Sequence, residues 1–318
     1  MRVDRAILLI GLAVLAVHPL SAVAQTAARP ATTGPSSQFV WLGANKEPLP
    51  FQSAEEMLAY LRTAEEISSK PLSEGITRAK RLHLSKGGIE ARVVFHHVDR
   101  NEQEMKRLAN DNVVMYLRDS FLNQAAAYEM SRMLGMKNVP PTVLRRSNGQ
   151  RGSAQLWIES AKTETMRVEQ GLEPPDYTLW NQYYADMRVF DNLINNIDRN
   201  QGNMLVDSRW NLWLIDHTRS FGRDKALPYP EIVVRCSRVL WQGIRHDWDD
   251  AKVERLMATY MNPKEIEALL TRRQKLVALI EQQIAERGED MVLFDFGDPE
   301  SGVKVRFSDT PPSSPSSQ

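Results

Sequence analysis

The sequence predicts an α+β protein of two lobes, a small strand-rich N-lobe and a larger helical C-lobe, and three observations carry that expectation. Short apolar stretches separated by turn signals crowd residues 46–157. Beyond about residue 175 the apolar positions recur at helical spacing instead. A single strand pair, near the start of the helical half, interrupts it, so strands and helices are segregated rather than alternating.

Taken in order, residues 1–24 have the layout of a secretory signal peptide: Arg2 and Arg5, an apolar run Ala6–Val17, then Ala22-Val23-Ala24 before Gln25. The run has 12 residues, short of the roughly 20 that cross a bilayer. The expectation is an exported chain, periplasmic or secreted, with no stable membrane span after cleavage; an uncleaved anchor reaching Ala24 is the alternative. Residues 25–45 read as a disordered linker and 298–318 as a disordered tail, being rich in Pro, Ser and Thr. The N-lobe then covers 46–157 and the C-lobe 158–297.

Lys and Arg number 40 against 40 Asp and Glu, and 42% of residues are hydrophobic. Removal of residues 1–24 takes away two Arg and one Asp, leaving 38 basic and 39 acidic residues. A globular balance with no basic excess excludes a dedicated nucleic-acid binder. Cys236 is the single cysteine, so no internal disulfide is available even in an oxidising compartment, and the fold rests on its core.

In the N-lobe a helix is expected over Ser53–Ile67, followed by a stretch broken at Gly75. Strands at Arg81–Leu84 and Glu90–Val98 flank Ser85-Lys86-Gly87-Gly88, a hairpin signal. A helix over Asp119–Leu134 stops at Gly135, and Pro140-Pro141 leads into strands at Thr142–Leu144 and Ala154–Ile158. The C-lobe helices are Tyr177–Asn195, Val233–Ile244, Ala251–Met261 and Pro263–Arg287, the last with Asn262 as N-cap and Gly288 after its end. Met204–Val206 and Leu212–Ile215 form the interrupting strand pair.

The chemistry concentrates in 190–221, FDNLINNIDRNQGNMLVDSRWNLWLIDHTRSF. A turn centred on Arg209-Trp210 sets Asn203 opposite Asp216, with Cβ atoms roughly 4.5–5.5 Å apart. An Asn carbonyl and an Asp carboxylate at one spot make an oxygen site suited to Mg²⁺, which takes few protein ligands and completes its shell with phosphate and water. Asp198, five residues before Asn203, adds a third oxygen group able to orient or accept an acceptor's proton. Asp and Asn also populate ordinary polar turns; the spacing across a hairpin is what favours a site.

Asp198-x4-Asn203, a hairpin and then Asp216 resembles the catalytic loop and metal-binding Asp of the protein-kinase-like superfamily. DNLINNIDRNQGNMLVD and LWLIDHTRSF are most similar to its atypical branches, the phosphatidylinositol kinase-like, HipA-like and secreted Golgi kinase-like proteins and their bacterial relatives. The resemblance implies a protein-kinase-like fold binding ATP and Mg²⁺, with Mn²⁺ as the alternative ion, between the lobes. It assigns catalysis to Asp198 and Arg199 and metal binding to Asn203 and Asp216, with γ-phosphoryl transfer to a hydroxyl-bearing acceptor. On the N-lobe, Leu122, Ala126, Glu129 and Met133 share a helical stripe, and in kinases the equivalent of Glu129 pairs with a strand lysine that holds the phosphates. Here the strand reads Ala91-Arg92-Val93-Val94-Phe95-His96-His97. His96 fills the lysine position, and Arg92, on the same strand face, is the expected partner of Glu129; Lys80 or Lys86 could also reach inward. Glu74–Thr77 is a candidate phosphate-covering loop and Gln155–Glu159 a candidate hinge. Asp295-Phe296-Gly297, almost a hundred residues past Asp198, carries no role. Absence of the strand lysine leaves a second class open, a pseudokinase that binds nucleotide or a partner without transferring phosphate.

Overall fold

The computed structural model describes residues 39–72, 79–102, 106–107, 113–114 and 117–297. The expected signal peptide, most of the linker, the tail after Gly297 and the Gly75 loop lie outside the described residues.

The N-lobe is one antiparallel sheet with two helices on a single face. Its strands are β1 (Glu65–Pro71), β2 (Lys80–Lys86), β3 (Ile89–His96), β8 (Thr142–Ser147) and β9 (Gln150–Leu156), in the order β1-β2-β3-β9-β8. Gly87 and Gly88, at φ 59° and 77°, make the tight β2–β3 turn that only glycine adopts cheaply. Two short ladders follow β3, one pairing β4 (Asp99–Glu102) with β7 (Leu117–Ser120), the other β5 (Lys106–Arg107) with β6 (Val113–Val114). Helix α1 (Ala54–Thr63), capped by Ser53, is shorter than the sequence predicts. Ala64 is already extended, and Glu65–Pro71 instead forms an exposed edge strand whose Pro71 lacks the N–H a central strand would need. Helix α2 (Phe121–Met133) starts at its cap Ser120. Met57, Leu58 and Leu61 of α1 and Ala126, Ala127 and Met130 of α2 pack with Leu82, Leu84, Ala91, Val93 and Phe95. The period-two alternation puts Arg92, Val94 and His96 on the sheet's other face.

In the C-lobe, α4 (Tyr177–Ile194) and α7 (Pro263–Arg287) pack together, with α5 (Arg238–Arg245) and α6 (Asp250–Met257) around them. Helix α7 has the predicted bounds, and Asn262 and Glu265 cap each other's backbone at its start. Helix α5 starts later than predicted because Cys236 and Ser237 form β13, paired in parallel with β14 (Leu293–Phe294) after the short α8 (Glu289–Val292). Ser237 then caps α5. Helix α3 (Glu164–Glu169) follows β10 (Lys162–Thr163), which extends the hairpin of β11 (Met204–Val206) and β12 (Leu212–Leu214) to three strands. Residues 39–45, expected within the linker, are instead packed: the Phe39 ring meets Tyr183 and Trp213 edge-on at centroid distances of 5.9 and 4.8 Å. No helix among the described residues is long and apolar enough to cross a membrane.

Candidate active site

Helix α4 ends in a left-handed Asn195, φ 54°, and the chain turns into the loop that carries Asp198, Arg199 and Asn203. Arg199 is largely buried and spends all five of its N–H groups. Nε and Nη2 bind Asp191 of α4 at 2.9 and 3.0 Å, Nη1 donates to the carbonyls of Asn203 (2.7 Å) and Ile215 (2.8 Å), and Nη2 also meets His217 Nε2 at 2.9 Å. A guanidinium can only donate, so His217 Nε2 accepts and its proton sits on Nδ1. Burial and the Arg199 charge hold His217 well below the ordinary imidazole pKa. Arg199, expected as a catalytic residue, is instead a fastener between α4, the loop and the hairpin, with no N–H left for a substrate.

The hairpin register differs from prediction by one residue. Met204 pairs with Leu214, Leu205 with Trp213 and Val206 with Leu212. Asp207 sets this: its carboxylate accepts from the backbone N–H of Arg209 and Asn211, from Asn211 Nδ2 and from Trp213 Nε1, closing a loop in which Trp210 is left-handed. Asn203 therefore sits opposite Ile215, whose N–H donates to the Asn203 carbonyl at 3.1 Å, and Asp216 follows at φ 51°. The Asn203 side chain still turns to the loop: Nδ2 donates to the Asp198 carbonyl at 3.0 Å, which leaves Oδ1 as an acceptor. Asp216 Oδ1 accepts from Thr218 Oγ1 at 3.0 Å.

Two residues that the motif reading missed complete the site. Arg219, three positions after Asp216, donates from Nη1 to Asp198 Oδ2 at 2.8 Å and from Nε to Asp119 Oδ2 at 3.4 Å. Asp119 precedes the cap of α2, and its Oδ1 is buried with no partner among the described residues. Burial raises the pKa of Asp198 against the pull of Arg219, with Asp216 and Asp119 adding to the rise. Arg219 itself, pulled down by burial, is carried above its ordinary value by Asp198 and Asp119. The signal for Arg219 was present in Asp216-His217-Thr218-Arg219; nothing in the sequence set Asp119 apart from other helix-leading acids.

On the N-lobe side, His96 comes to this cluster. It is buried, its Nδ1 lacks a partner among the described residues, and burial lowers its pKa against the opposing charges of Asp216 and Asp119. The expected Arg92–Glu129 pair does not form. Arg92 Nε donates to Glu159 Oε1 at 2.7 Å and Nη2 to Oε2, while Glu129 meets Arg132 of its own helix at 3.4 Å, and Arg132 continues to Glu55 of α1. Of the stripe containing Glu129 only Ala126 is buried, and Leu122, Glu129 and Met133 form a half-buried flank; the buried face of α2 carries Asn123, Gln124, Ala127 and Met130. Lys86 Nζ reaches Thr63 Oγ1 at 2.7 Å. Lys80 shares the core-side alternation of Leu82 and Leu84. Arg81 lies over the Trp157 ring, 5.4 Å from its centroid, at the candidate hinge. Phe296 packs on Tyr183 and Phe294, and Gly297 N–H donates to Gln182 Oε1 at 2.9 Å, a structural post for the Asp295–Gly297 segment.

The donors suit a hard divalent cation. Asp119 and Asp198 bind the guanidinium of Arg219, and Asp216 is near enough to act on both Asp198 and His96. One buried carboxylate oxygen is unsatisfied, and carboxylate and amide oxygens are the ligands Mg²⁺ and Mn²⁺ prefer. Among the described residues no group of three or more His, Cys, Asp or Glu side chains is arranged as a self-sufficient metal cage. Few protein ligands, with the rest from phosphate and water, is the pattern for Mg²⁺.

No protein-family model and no curated protein matches the sequence. Solved structures do match in shape. Hydra Fam20 with sugar superposes at a TM-score of 0.54 with 15% identity, over 77% of this chain and 93% of that one. The Golgi casein kinase with Mn and ADP bound gives 0.53 and 14%, over 78% and 80%, and the same kinase in a second structure gives 0.52 and 14%, over 77% and 80%. At this level of superposition the chain shares the fold of those structures, a strand-rich lobe followed by a helical lobe.

Proposed function

We propose that the chain is an exported, atypical kinase-like phosphotransferase that moves the γ-phosphoryl group of ATP to a hydroxyl acceptor. The observation that carries this reading is the fastening by Arg199 of the Asn203 and Ile215 carbonyls to one another, which fixes Asp198, Asn203 and Asp216 as a unit before any ligand arrives. Asp216 and Asn203 Oδ1 would hold Mg²⁺, or Mn²⁺ in its place, which when bound would supply neutralisation of phosphate charge. Asp198 accepts the acceptor's hydroxyl proton as the acceptor oxygen bonds to the γ-phosphorus and the bond from that phosphorus to the bridging oxygen of ADP breaks. Its raised pKa makes it a stronger base than an ordinary carboxylate. Glu159, held by Arg92, fixes the 155–159 hinge beside which the adenine lies, and His96 lines the roof as a neutral group.

Calorimetry of the purified chain with Mg²⁺ and ATP is expected to show metal-dependent nucleotide binding that Asp216→Ala abolishes. Asp198→Asn is expected to retain binding within a few-fold and to lower phosphate transfer by about 10²–10⁴. Absence of any metal-dependent nucleotide binding in the parent chain overturns the proposal.

A second reading, a pseudokinase acting as a nucleotide- or partner-binding module, draws on the same roof: β3 has no lysine, Arg92 is committed to Glu159, and His96 is neutral. Radiolabel transfer that is equal in the parent and Asp198→Asn would select it.

A further inference from the structure

Resting on the kinase-like reading, we infer that Arg219 is the phosphate-binding cation of this site, taking over the task of the missing strand lysine by moving from carboxylates to the nucleotide. The described cations of β2 and β3 are otherwise engaged or turned away: Arg92 on Glu159, Arg81 over Trp157, Lys86 on Thr63, Lys80 on the core-side alternation. His96 brings no charge.

The two arginines of the motif divide the work. Arg199 has every N–H engaged and only 8% of its side chain exposed. Arg219 uses two of five, one of them at a long 3.4 Å, and keeps 21% of its side chain exposed. Its remaining N–H groups form the planar fork that matches phosphate oxygens. In the resting chain the guanidinium pairs with two carboxylates, Asp198 and Asp119. When those carboxylates face a metal–nucleotide complex, they no longer need it, and Arg219 swings to the phosphate oxygens. That exchange leaves Asp198 free to receive a proton.

The idea demands effects of opposite sign. Full-length parent, Arg219→Gln and Arg219→Lys are titrated with Mn²⁺ alone, followed by the paramagnetic signal of the free ion, and with ADP at saturating Mn²⁺, followed by calorimetry; matched thermal melts show that each variant is folded. Arg219→Gln is expected to bind Mn²⁺ alone at least three-fold more tightly, because two carboxylates lose their counter-ion, and ADP at least ten-fold more weakly. Arg219→Lys, which restores the charge but not the fork, is expected to recover part of the ADP affinity. An Arg219→Gln protein whose ADP affinity stays within two-fold of the parent, or whose Mn²⁺ and ADP affinities fall together, overturns the assignment and leaves the kinase-like reading standing. A parent chain that binds no ADP with Mn²⁺ overturns both.

Discussion

Arg199 shows how much one residue can fix. Its guanidinium neutralises the buried Asp191 and satisfies two buried carbonyls from different segments. Removing it strands a buried charge, which costs several kcal/mol even where a well-packed apolar pair would have cost little. Arg199→Met is therefore expected to lower the unfolding free energy by about 3–5 kcal/mol in a denaturant titration, and the Arg199→Met/Asp191→Asn double variant to recover part of it. A loss under about 1 kcal/mol would mean the carbonyls and Asp191 find other partners. At this scale the sequence was half legible. Asp198, Asn203 and Asp216 stand out because their spacing crosses a hairpin. Arg199 and Arg219 look alike in a string of letters, and only the acceptors around each, drawn from α4, the hairpin and the front of α2, distinguish a fastener from a residue with N–H groups to spare.

Helix α2 is held to the segment that follows Asp216 by neutral groups. Asn123 Nδ2 donates to the carbonyls of Thr218 and Ser220, each at 2.8 Å, Ser120 N–H donates to Thr218 O at 2.9 Å, and Gln124 Oε1 accepts from His217 N–H at 2.6 Å. A lysine–glutamate pair positions the corresponding helix in kinases; here these four neutral bonds stand beside the long Arg219–Asp119 contact at the front of the helix. Gln124→Leu keeps the buried volume roughly constant but leaves His217 N–H unsatisfied, at a cost of about 1–3 kcal/mol. The expected outcome is faster amide hydrogen exchange across residues 217–220 with the rest of α2 little changed; unchanged exchange there would show that Gln124 does not fasten the segment. The element itself, bounded by Ser120 and Gly135, was readable from caps and period. Its working face was not, because the stripe through Glu129 is, apart from Ala126, only half-buried while the buried face carries Asn and Gln, whose worth depends on backbone contributed by residues about 95 positions away.

For the whole molecule, the two-lobed order was legible because segregated strands and helices with strong caps leave few alternatives. The hairpin register and the edge strand β1 were not, since Asp207 acts through a side-chain turn and Ala64 ends α1 without a Gly or Pro to announce it. The stability of the C-lobe carries a pH dependence of its own. Asp186 accepts from both the N–H and the hydroxyl of Ser237, yet burial outweighs these bonds and raises its pKa to about 7. A carboxyl whose folded pKa lies above its unfolded value of about 3.9 stabilises fully below pH 4, and that contribution is lost as pH rises towards 7. Asp186→Asn, which can still accept from the Ser237 N–H, is expected to gain on the parent as pH rises from 5 to 7, by roughly 1.4 kcal/mol per unit. Parallel stability curves for the two proteins would show that Asp186 is ionised throughout.

Beside Asp186 lies Cys236, wholly buried in β13 against Leu293 of β14, its thiol pushed well above the ordinary range by burial and by the neighbouring carboxylate. The folded surface offers no thiol, so a cysteine introduced at the hairpin tip, at Arg209, gives a single attachment point for a spectroscopic label on the intact protein. Cys236 itself becomes a clock: an alkylating reagent reaches it only when β13 and β14 part, so its rate of modification counts the openings of that strand pair.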